Sequence, residues 1–179
     1  MANRTPLPFD STADRRTSPL SVGESAPDFD LPDTVCGSTI RLSGLQGESV
    51  LLVFFRGTWC PYCRKQMDVL TTSQPRLIAA GIQTLGIVCQ SAGSVERYLR
   101  DHPIPFPLLV DETRAAAKQY GVHYWLSREG FNLANPSLFI LDREHRILFA
   151  YRGKNMSDLP VAAVLDKFVG LLEDPSCRE

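Results

Sequence analysis

Apolar residues in this chain fall into short continuous runs separated by polar stretches. Residues 49–55 and 82–89 are runs of aliphatic, β-branched and aromatic side chains, which is typical of strands buried on both faces of a parallel sheet. Residues 107–110 form a shorter run of the same kind. The pattern therefore predicts a strand at each of these three places.

Two further pairs of short apolar runs are separated by turn-forming residues. Residues 136–142 and 147–151 flank a polar turn and predict an antiparallel hairpin. Residues 29–31 and 39–42 flank a stretch with Pro-Asp and Cys-Gly pairs, and they predict a smaller hairpin near the start.

The stretch after the first strand carries apolar residues at helical spacing. Cys63 and Leu70 are seven positions apart and share a helical face, so a helix is predicted with Pro61 in its first turn. Pro75 is predicted to kink this helix or to open a second segment capped by Ser73.

Three later segments also predict helices. One has its apolar face at residues 95–99, and an alanine-rich one over residues 112–120 stops at Gly121. The last helix begins at Ser157 or Asp158, whose side chains suit a helix N-cap.

Strands and helices in this order predict an α/β fold with a mixed central sheet sandwiched by helices, within one domain over residues 24–173. Residues 1–23 are rich in Pro, Ser, Thr and Arg and predict a flexible tail, and residues 174–179 predict a short one. Residues 123–135 show no periodicity and predict an irregular connection, compatible with a lid or a homodimer contact.

Charge and composition exclude some classes of partner. The net charge of −1 and a pI near 6.3 give no electrostatic basis for binding nucleic acid or an anionic membrane. No apolar run is long enough to span a bilayer, and the first 22 residues lack the apolar stretch of a secretory signal. We therefore expect a cytoplasmic protein, in which five cysteines, an odd number, are not a structural disulfide framework.

A Cys-Pro-Tyr-Cys motif lies where the first long strand gives way to a helix. Cys60 is thus expected at a helix N-terminus, where free N–H groups and the helix dipole stabilise a thiolate. Arg56, Arg64 and Lys65 add positive charge, although a solvated basic turn is the alternative. Cys63, one turn further on, is placed to resolve a mixed disulfide.

The same motif occurs in zinc sites and, as buried structural cysteines, in protein cores. A zinc site needs two more ligands, but no second Cys-x-x-Cys is present and His102, His123 and His145 lie in unrelated segments. No glycine-rich phosphate loop indicates a nicotinamide or flavin site. We therefore expect neither metal nor organic cofactor.

The motif and its surroundings resemble the thioredoxin superfamily over about residues 23–172. Trp59-Cys60 after an apolar strand looks like the thioredoxin active site, and Pro61-Tyr62 matches the glutaredoxin form. The remaining frame is similar to the peroxiredoxins (the alkyl hydroperoxide reductase / thiol-specific antioxidant family), with a matching N-terminal β-hairpin. The segments that carry this second resemblance are residues 26–31, 106–111, 117–122 and 138–142.

The two resemblances imply different chemistry. With Cys63 set on the peroxidatic cysteine of peroxiredoxins, Cys60 stands where a Thr belongs and Arg56 where a Pro belongs. Pro136 stands where the peroxide-orienting Arg belongs, and it matches instead the cis-proline that faces the cysteines in thioredoxins. A plain strand-starting proline is the alternative for Pro136.

The resemblance to thioredoxins implies a thiol–disulfide oxidoreductase. Cys60 would attack, Cys63 would resolve, and Trp59 and Pro136 would position the substrate, while thioredoxin or glutathione would supply electrons. The strand over residues 49–55 lacks the buried acid that accepts the resolving thiol's proton in thioredoxins. The alternatives are an antioxidant peroxidase acting on hydroperoxides, and a redox sensor or copper-binding protein without turnover.

The remaining cysteines indicate no definite role. Cys89 ends an apolar run and is expected to be a small buried residue. Cys36 in a turn and Cys177 in the tail are expected to be incidentally exposed, with relay of oxidising equivalents as the alternative. His123 and Trp125 are expected in a solvated loop, with the border of the substrate cleft as the alternative.

Overall fold

A computed structural model describes residues 20–127, 130–155, 157–159 and 161–173 of the chain. The strands are β1 Asp30–Pro32, β2 Thr39–Arg41, β3 Ser49–Phe55, β4 Ile82–Val88, β5 Leu108–Val110, β6 His123–Ser127, β7 Gly130–Ala134, β8 Ser137–Leu141 and β9 Ile147–Arg152. The helices are α1 Pro61–Ala79, α2 Ala92–Asp101, α3 Ala115–Gln119 and α4 Val161–Glu173, and a short 3-10 turn spans Leu42–Leu45. No helix among the described residues is both long and apolar enough to cross a bilayer.

The central sheet has the strand order β5-β4-β3-β8-β9. β3, β4 and β5 run parallel, and β8 and β9 add an antiparallel half beside β3. β1 and β2 form the small hairpin near the start. The predicted mixed sheet and both predicted hairpins are confirmed.

β3 explains why the sheet is covered on both faces. Its residues Leu51, Val53 and Phe55 belong to a core with α1, α2 and α4. The alternate residues of β3 belong to a second core with α3 and the first hairpin. Because successive side chains of a strand point to opposite faces, a continuous apolar run produces two cores at once.

α1 is one continuous helix from Pro61 to Ala79. Pro61 occupies its first turn, where a missing N–H costs nothing, and Cys60 is the N-cap residue. The helix continues through Pro75, so the predicted second segment capped by Ser73 does not form. Gln74 beside it is buried and donates a 2.9 Å bond to the Thr84 hydroxyl of β4, which ties this part of the helix to the sheet.

α3 is shorter than the predicted helix over residues 112–120. It begins only at Ala115, because the Asp111 carboxylate accepts bonds from the N–H groups of Ala115 and Ala117 and so caps the first turn. Gly121, with a φ of +67°, follows its end as predicted.

The predicted irregular connection over residues 123–135 is wrong. β6 and β7 pair as an antiparallel hairpin outside the central sheet, with His123 opposite Ala134 and Tyr124 opposite Leu133. A 2.9 Å hydrogen bond between His123 Nε2 and Asn132 Oδ1 also joins them. The pairing supplies backbone partners that apolar periodicity did not indicate.

The packed part of the chain starts before the predicted boundary at residue 24. Leu20 is buried in the core beside α3, and the Gly23 N–H donates a 2.8 Å bond to the Ile147 carbonyl. The rest of the predicted N-terminal tail, residues 1–19, and the predicted C-terminal tail, residues 174–179, lie outside the described residues.

Candidate active site

The segments that follow β3, β4 and β5 meet at one edge of the sheet. Parallel neighbours end at the same edge, so the Cys-x-x-Cys segment after β3 lies beside Gln90 after β4 and Arg114 after β5. This convergence brings three parts of the chain that are far apart in sequence to one site.

Cys60 and Cys63 occupy the first turn of α1 and are both unpaired thiols. Cys60 has extended backbone angles, φ −81° and ψ 121°, and its carbonyl accepts the first helical bond from Arg64 at 3.1 Å. Only 1% of Cys60 and 3% of Cys63 is exposed. A substrate sulfur therefore has to reach the pair through the side chains that surround it.

The environment favours the protonated form of Cys63. Burial is the main cause that raises the pKa of its thiol to about 12, followed by repulsion from Cys60. Hydrogen bonds from the backbone of Gly57 and Arg56 lower the pKa by a smaller amount. Burial and the neighbouring Cys60 thus favour the thiol form of Cys63.

The loop before Cys60 is fixed by a reciprocal pair of hydrogen bonds. The Thr58 N–H donates to the Gln90 side-chain oxygen at 2.9 Å, and the Gln90 amide nitrogen donates to the Thr58 hydroxyl at 2.9 Å. The Arg64 guanidinium closes the loop by donating to the Thr58 carbonyl at 2.6 Å. A Cβ on Gly57 would lie 2.8 Å from Gln90 Oε1 and collide with the Trp59 indole, so this position requires glycine.

Arg56 is buried, with 1% of its surface exposed, and so is not part of a solvated basic turn. Its Nε donates to the Tyr124 hydroxyl of β6 at 3.2 Å, and its guanidinium lies 5.3 Å from the centre of the Trp59 ring. Arg64 and Lys65 are exposed. The β6–β7 hairpin thereby helps to position the residues that precede Cys60.

Two aromatic side chains beside the cysteines face solvent. Trp59 is 51% exposed and Tyr62 is 44% exposed, which is unusual for large apolar rings. Ordinary core packing, the alternative considered for Trp59, does not apply. Both rings are therefore accessible to a molecule that docks beside the cysteine pair.

A groove of about 590 Å³ runs from Trp59 along α2. We call it the arginine groove, because the guanidinium groups of Arg64, Arg97 and Arg114 line it. The other residues that line it are Thr58, Trp59, Cys89, Gln90, Ser91, Ser94, Tyr98, Asp101 and His102.

Comparison with known proteins shows the family to which this chain belongs. The profile of the AhpC/TSA family matches residues 22–150, which is more than half of the chain. The chain belongs to the AhpC/TSA family. The expected peroxiredoxin-like frame is confirmed.

Relatives from two functional groups match the chain. Thiol-disulfide oxidoreductase ResA from Bacillus subtilis (strain 168) is 32% identical over 135 residues, 75% of this chain and 69% of that protein. Peroxiredoxin Bcp from Escherichia coli (strain K12) is 33% identical over 105 residues, 59% of this chain and 67% of that protein. This AhpC/TSA chain is therefore an oxidoreductase of the thiol-dependent class.

A solved structure has the same fold as this chain. The crystal structure of a mutant of Xylella fastidiosa PrxQ aligns with a TM-score of 0.77 at 19% identity, over 87% of this chain and 99% of that one. A likeness at this identity shows the fold, and it confirms the expected thioredoxin-like architecture.

Pro136 departs from one expectation for this AhpC/TSA chain. Its peptide bond with Asn135 is trans, so the predicted cis-proline is wrong. The chain runs extended from β7 into β8: the Asn135 N–H donates to the Val122 carbonyl at 2.8 Å, and the Pro136 carbonyl accepts from Gly153 at 2.7 Å. These bonds hold both sides of Pro136 in strand-like geometry, which agrees with the simpler alternative of a residue that precedes a strand.

The remaining candidate residues differ in burial, and Cys89 belongs to the second core, whereas Cys60 and Cys63 belong to the first. Cys89 is buried as expected, and burial with the nearby Asp111 charge raises its pKa to about 12. Cys36 is exposed, Trp125 is 64% exposed on the β6–β7 hairpin, and Cys177 lies outside the described residues. No group of His, Cys, Asp and Glu that could hold a metal ion occurs among the residues described.

Four residues that line or fix the site were not predicted from the sequence: Thr58, Gln90, Arg97 and Arg114. Gln90 and Arg114 follow the ends of predicted parallel strands, and this position was the available signal, because such ends converge. For Arg97 no comparable signal exists, since it is one of several charged residues on an amphipathic helix.

Proposed function

We propose that this protein is a thiol–disulfide oxidoreductase that cycles Cys60 and Cys63 between dithiol and disulfide. The Cys60 thiolate attacks a substrate disulfide, forms a mixed disulfide, and releases one substrate sulfur as a thiolate. The Cys63 thiol then loses its proton and attacks the Cys60 sulfur, which releases the second substrate sulfur and leaves a Cys60–Cys63 disulfide.

The contrast between the two thiols carries this proposal. A peroxidatic cysteine must be a thiolate, whereas the pKa of Cys63 is raised by burial and by Cys60. Cys60 is the N-cap residue, next to the positive end of the α1 dipole. This arrangement favours Cys60 as nucleophile and Cys63 as resolving thiol.

The order of events follows from the same electrostatics. Once Cys60 has formed a mixed disulfide, its charge no longer opposes ionisation of Cys63. The pKa of Cys63 then falls towards the range in which it can attack. Resolution is therefore favoured only after substrate has bound covalently.

The surroundings support a role for several further residues. Trp59 and Tyr62 present exposed rings next to Cys60 in the chain, where a substrate can pack. Arg56 holds Trp59, and Arg64 fixes the loop through the Thr58 carbonyl. Pro61 starts α1 directly after Cys60. Pro136 has a trans peptide bond, so its only role in substrate binding would be through the extended backbone that it begins.

Protein or small-molecule disulfides are the proposed substrates, and a thiol donor such as thioredoxin or glutathione would reduce the Cys60–Cys63 disulfide. The exposed thiol of Cys36 and the buried thiol of Cys89 fit a reducing compartment, and we assign the protein to the cytoplasm and to redox homeostasis there. A homodimer contact through the β6–β7 hairpin, which carries the exposed Trp125, belongs to the same proposal.

Peroxide reduction is the second candidate. The AhpC/TSA frame, the similarity to peroxiredoxin Bcp and the backbone hydrogen bonds to the Cys63 sulfur favour it. In that case the cysteine sulfenic acid formed by peroxide would condense with the other thiol to the same disulfide.

Stopped-flow assays of the reduced protein separate these candidates. The protein is mixed with hydrogen peroxide or with 2-hydroxyethyl disulfide, and wild type, Cys60→Ser, Cys63→Ser and the control Cys36→Ser are compared. We expect fast disulfide reduction that is abolished in Cys60→Ser and retained in Cys36→Ser, together with slow peroxide reaction. Fast peroxide consumption that persists in Cys60→Ser and is lost in Cys63→Ser would contradict the proposal and show that the protein is a peroxidase.

A further inference from the structure

We propose that the arginine groove binds the carboxylates of a low-molecular-weight disulfide and presents its sulfur to Cys60. The inference rests on the proposed thiol–disulfide exchange and names the substrate class for it. Four observations carry it: the charge of the groove, its fixed geometry, its size and its lining by the residues that precede Cys60.

Positive charge dominates the groove. Arg64, Arg97 and Arg114 line it, whereas Asp101 is the one carboxylate among the lining residues. Glu112 lies nearby, where its carboxylate accepts a 2.8 Å bond from the Ala92 N–H at the start of α2. Within the part of the chain that the structure describes, the ion pairs involve other arginines, Arg41 and Arg76. The three groove guanidinium groups thus keep their charge available to an anion.

Two of the three guanidinium groups are held in place. Arg114 donates to the carbonyls of Cys89 at 3.3 Å, Asn132 at 3.4 Å and Glu112. Arg64 donates to the Thr58 carbonyl and lies 5.3 Å from the centre of the Tyr98 ring. Donors that are already ordered lose little entropy when an anion binds.

Size and position favour a small ligand. A volume of about 590 Å³ lies in the range of small-molecule sites, which span roughly 300–1,000 Å³. Trp59, the residue directly before Cys60, lines the groove, and so does Tyr98, whose ring is stacked on His102 at 4.6 Å. Thr58 and Trp59, the two residues that precede Cys60, both line the groove, so a disulfide bound there would lie next to the segment that carries Cys60.

Reduction of such a ligand takes place in two thiol–disulfide exchange steps. The Cys60 thiolate forms a bond to one sulfur of the ligand, and the ligand S–S bond breaks to release an anionic thiolate. Cys63 gives its proton to water and displaces the second ligand thiolate from Cys60. Two electrons pass from the protein dithiol to the ligand, which leaves as two carboxylate-bearing thiols.

The test compares rate constants for two disulfides with matched protein variants. Oxidised glutathione, which bears several carboxylates, is compared with neutral 2-hydroxyethyl disulfide by stopped flow, and the ratio of the two rate constants is the readout. Arg97→Glu reverses a groove charge. Arg100→Glu reverses a charge on the same helix that lines a different cavity, with Thr34 and Val35.

We expect Arg97→Glu to lower the ratio at least about fivefold and Arg100→Glu to leave it within about twofold, since charge effects fall off quickly with distance in salt. Added salt should lower the ratio in wild type and in Arg100→Glu, and lower it less in Arg97→Glu. Equal ratios in all three proteins would overturn the inference while leaving the proposed function intact. Failure of wild type to reduce either disulfide would overturn both. Calorimetry with unreactive S-methylglutathione separates binding from chemistry, and weaker binding to Arg97→Glu than to Arg100→Glu is expected.

Discussion

At the scale of single residues, Cys60 and Cys63 differ although they lie one helical turn apart. Cys60 caps α1, whereas Cys63 is packed against the sheet, where burial and the charge of Cys60 raise its pKa. The motif alone predicted the two roles, since the first cysteine of such a pair precedes the helix. How far the pKa of Cys63 is raised depends on burial, which exists only in the folded chain.

Removal of Cys60 tests this coupling. In Cys60→Ala the repulsion and the Cys60 side-chain hydrogen bond are gone, so the pKa of Cys63 should fall below its wild-type value of about 12. It should stay above the ordinary thiol value, because burial remains the main cause. Titration of ¹³C-labelled cysteines by NMR measures it, with Cys36→Ala as the control that leaves Cys63 unchanged. An unchanged or higher pKa of Cys63 in Cys60→Ala would contradict the coupling.

Arg56 shows what residue types alone do not tell. In the sequence it is one of several cations around the motif, but in the structure it is buried and bonded to Tyr124, 68 positions further along. The contact depends on the β6–β7 hairpin, which the sequence analysis did not predict. Long-range partners of this kind follow from tertiary packing and leave no local pattern.

At the scale of elements, α1 contains a feature that works against its own stability. Pro75 lies inside the helix and lacks the N–H that would bond to the carbonyl four residues earlier. The sequence analysis expected a kink or a new segment there. The helix nevertheless continues, since its buried face, including Leu70 and Leu77, packs in the core.

Replacement of this proline should therefore stabilise the protein. Pro75 is exposed, so Pro75→Ala loses little packing and restores a helical hydrogen bond. We expect the free energy of unfolding to rise by about 1 kcal/mol. This is the gain from the restored helical geometry less the loss that comes from the greater conformational entropy of the unfolded chain without proline. Urea unfolding measures it, and Ile78→Ala, at a 68% exposed position of the same helix, should change stability by less than about 0.5 kcal/mol. A loss of stability in Pro75→Ala would show that the proline suits the helix as it is.

Strand prediction succeeded and failed for one physical reason. Strands β3 and β4 could be predicted from their continuous apolar runs, because a strand that is buried on both faces needs apolar side chains at every position. β6 and β7 carry polar residues on a hairpin outside the central sheet, so no such demand marks them. The trans bond before Pro136 is the ordinary state of such a bond, and the cis expectation came only from the resemblance to thioredoxins.

At the scale of the whole molecule, an AhpC/TSA frame carries a dithiol motif at the edge where its parallel strands end. The family and the cysteine pair could be predicted from the sequence. The arginine groove could not, because its residues come from three separate segments: the α1 start, α2 and the loop before α3. The specificity that we propose therefore depends on the assembled fold, whereas the proposed reaction type follows from one short motif.

The central claim is that Cys60 attacks and Cys63 resolves. The most direct test is to trap the intermediate: reduced Cys63→Ser is mixed with a disulfide, alkylated and digested, and the modified cysteine is located by mass spectrometry. The account predicts a stable mixed disulfide on Cys60 in Cys63→Ser, and no adduct on Cys63 in Cys60→Ser over the same time. An adduct on Cys63 in Cys60→Ser, with Cys60 unmodified in Cys63→Ser, would contradict it.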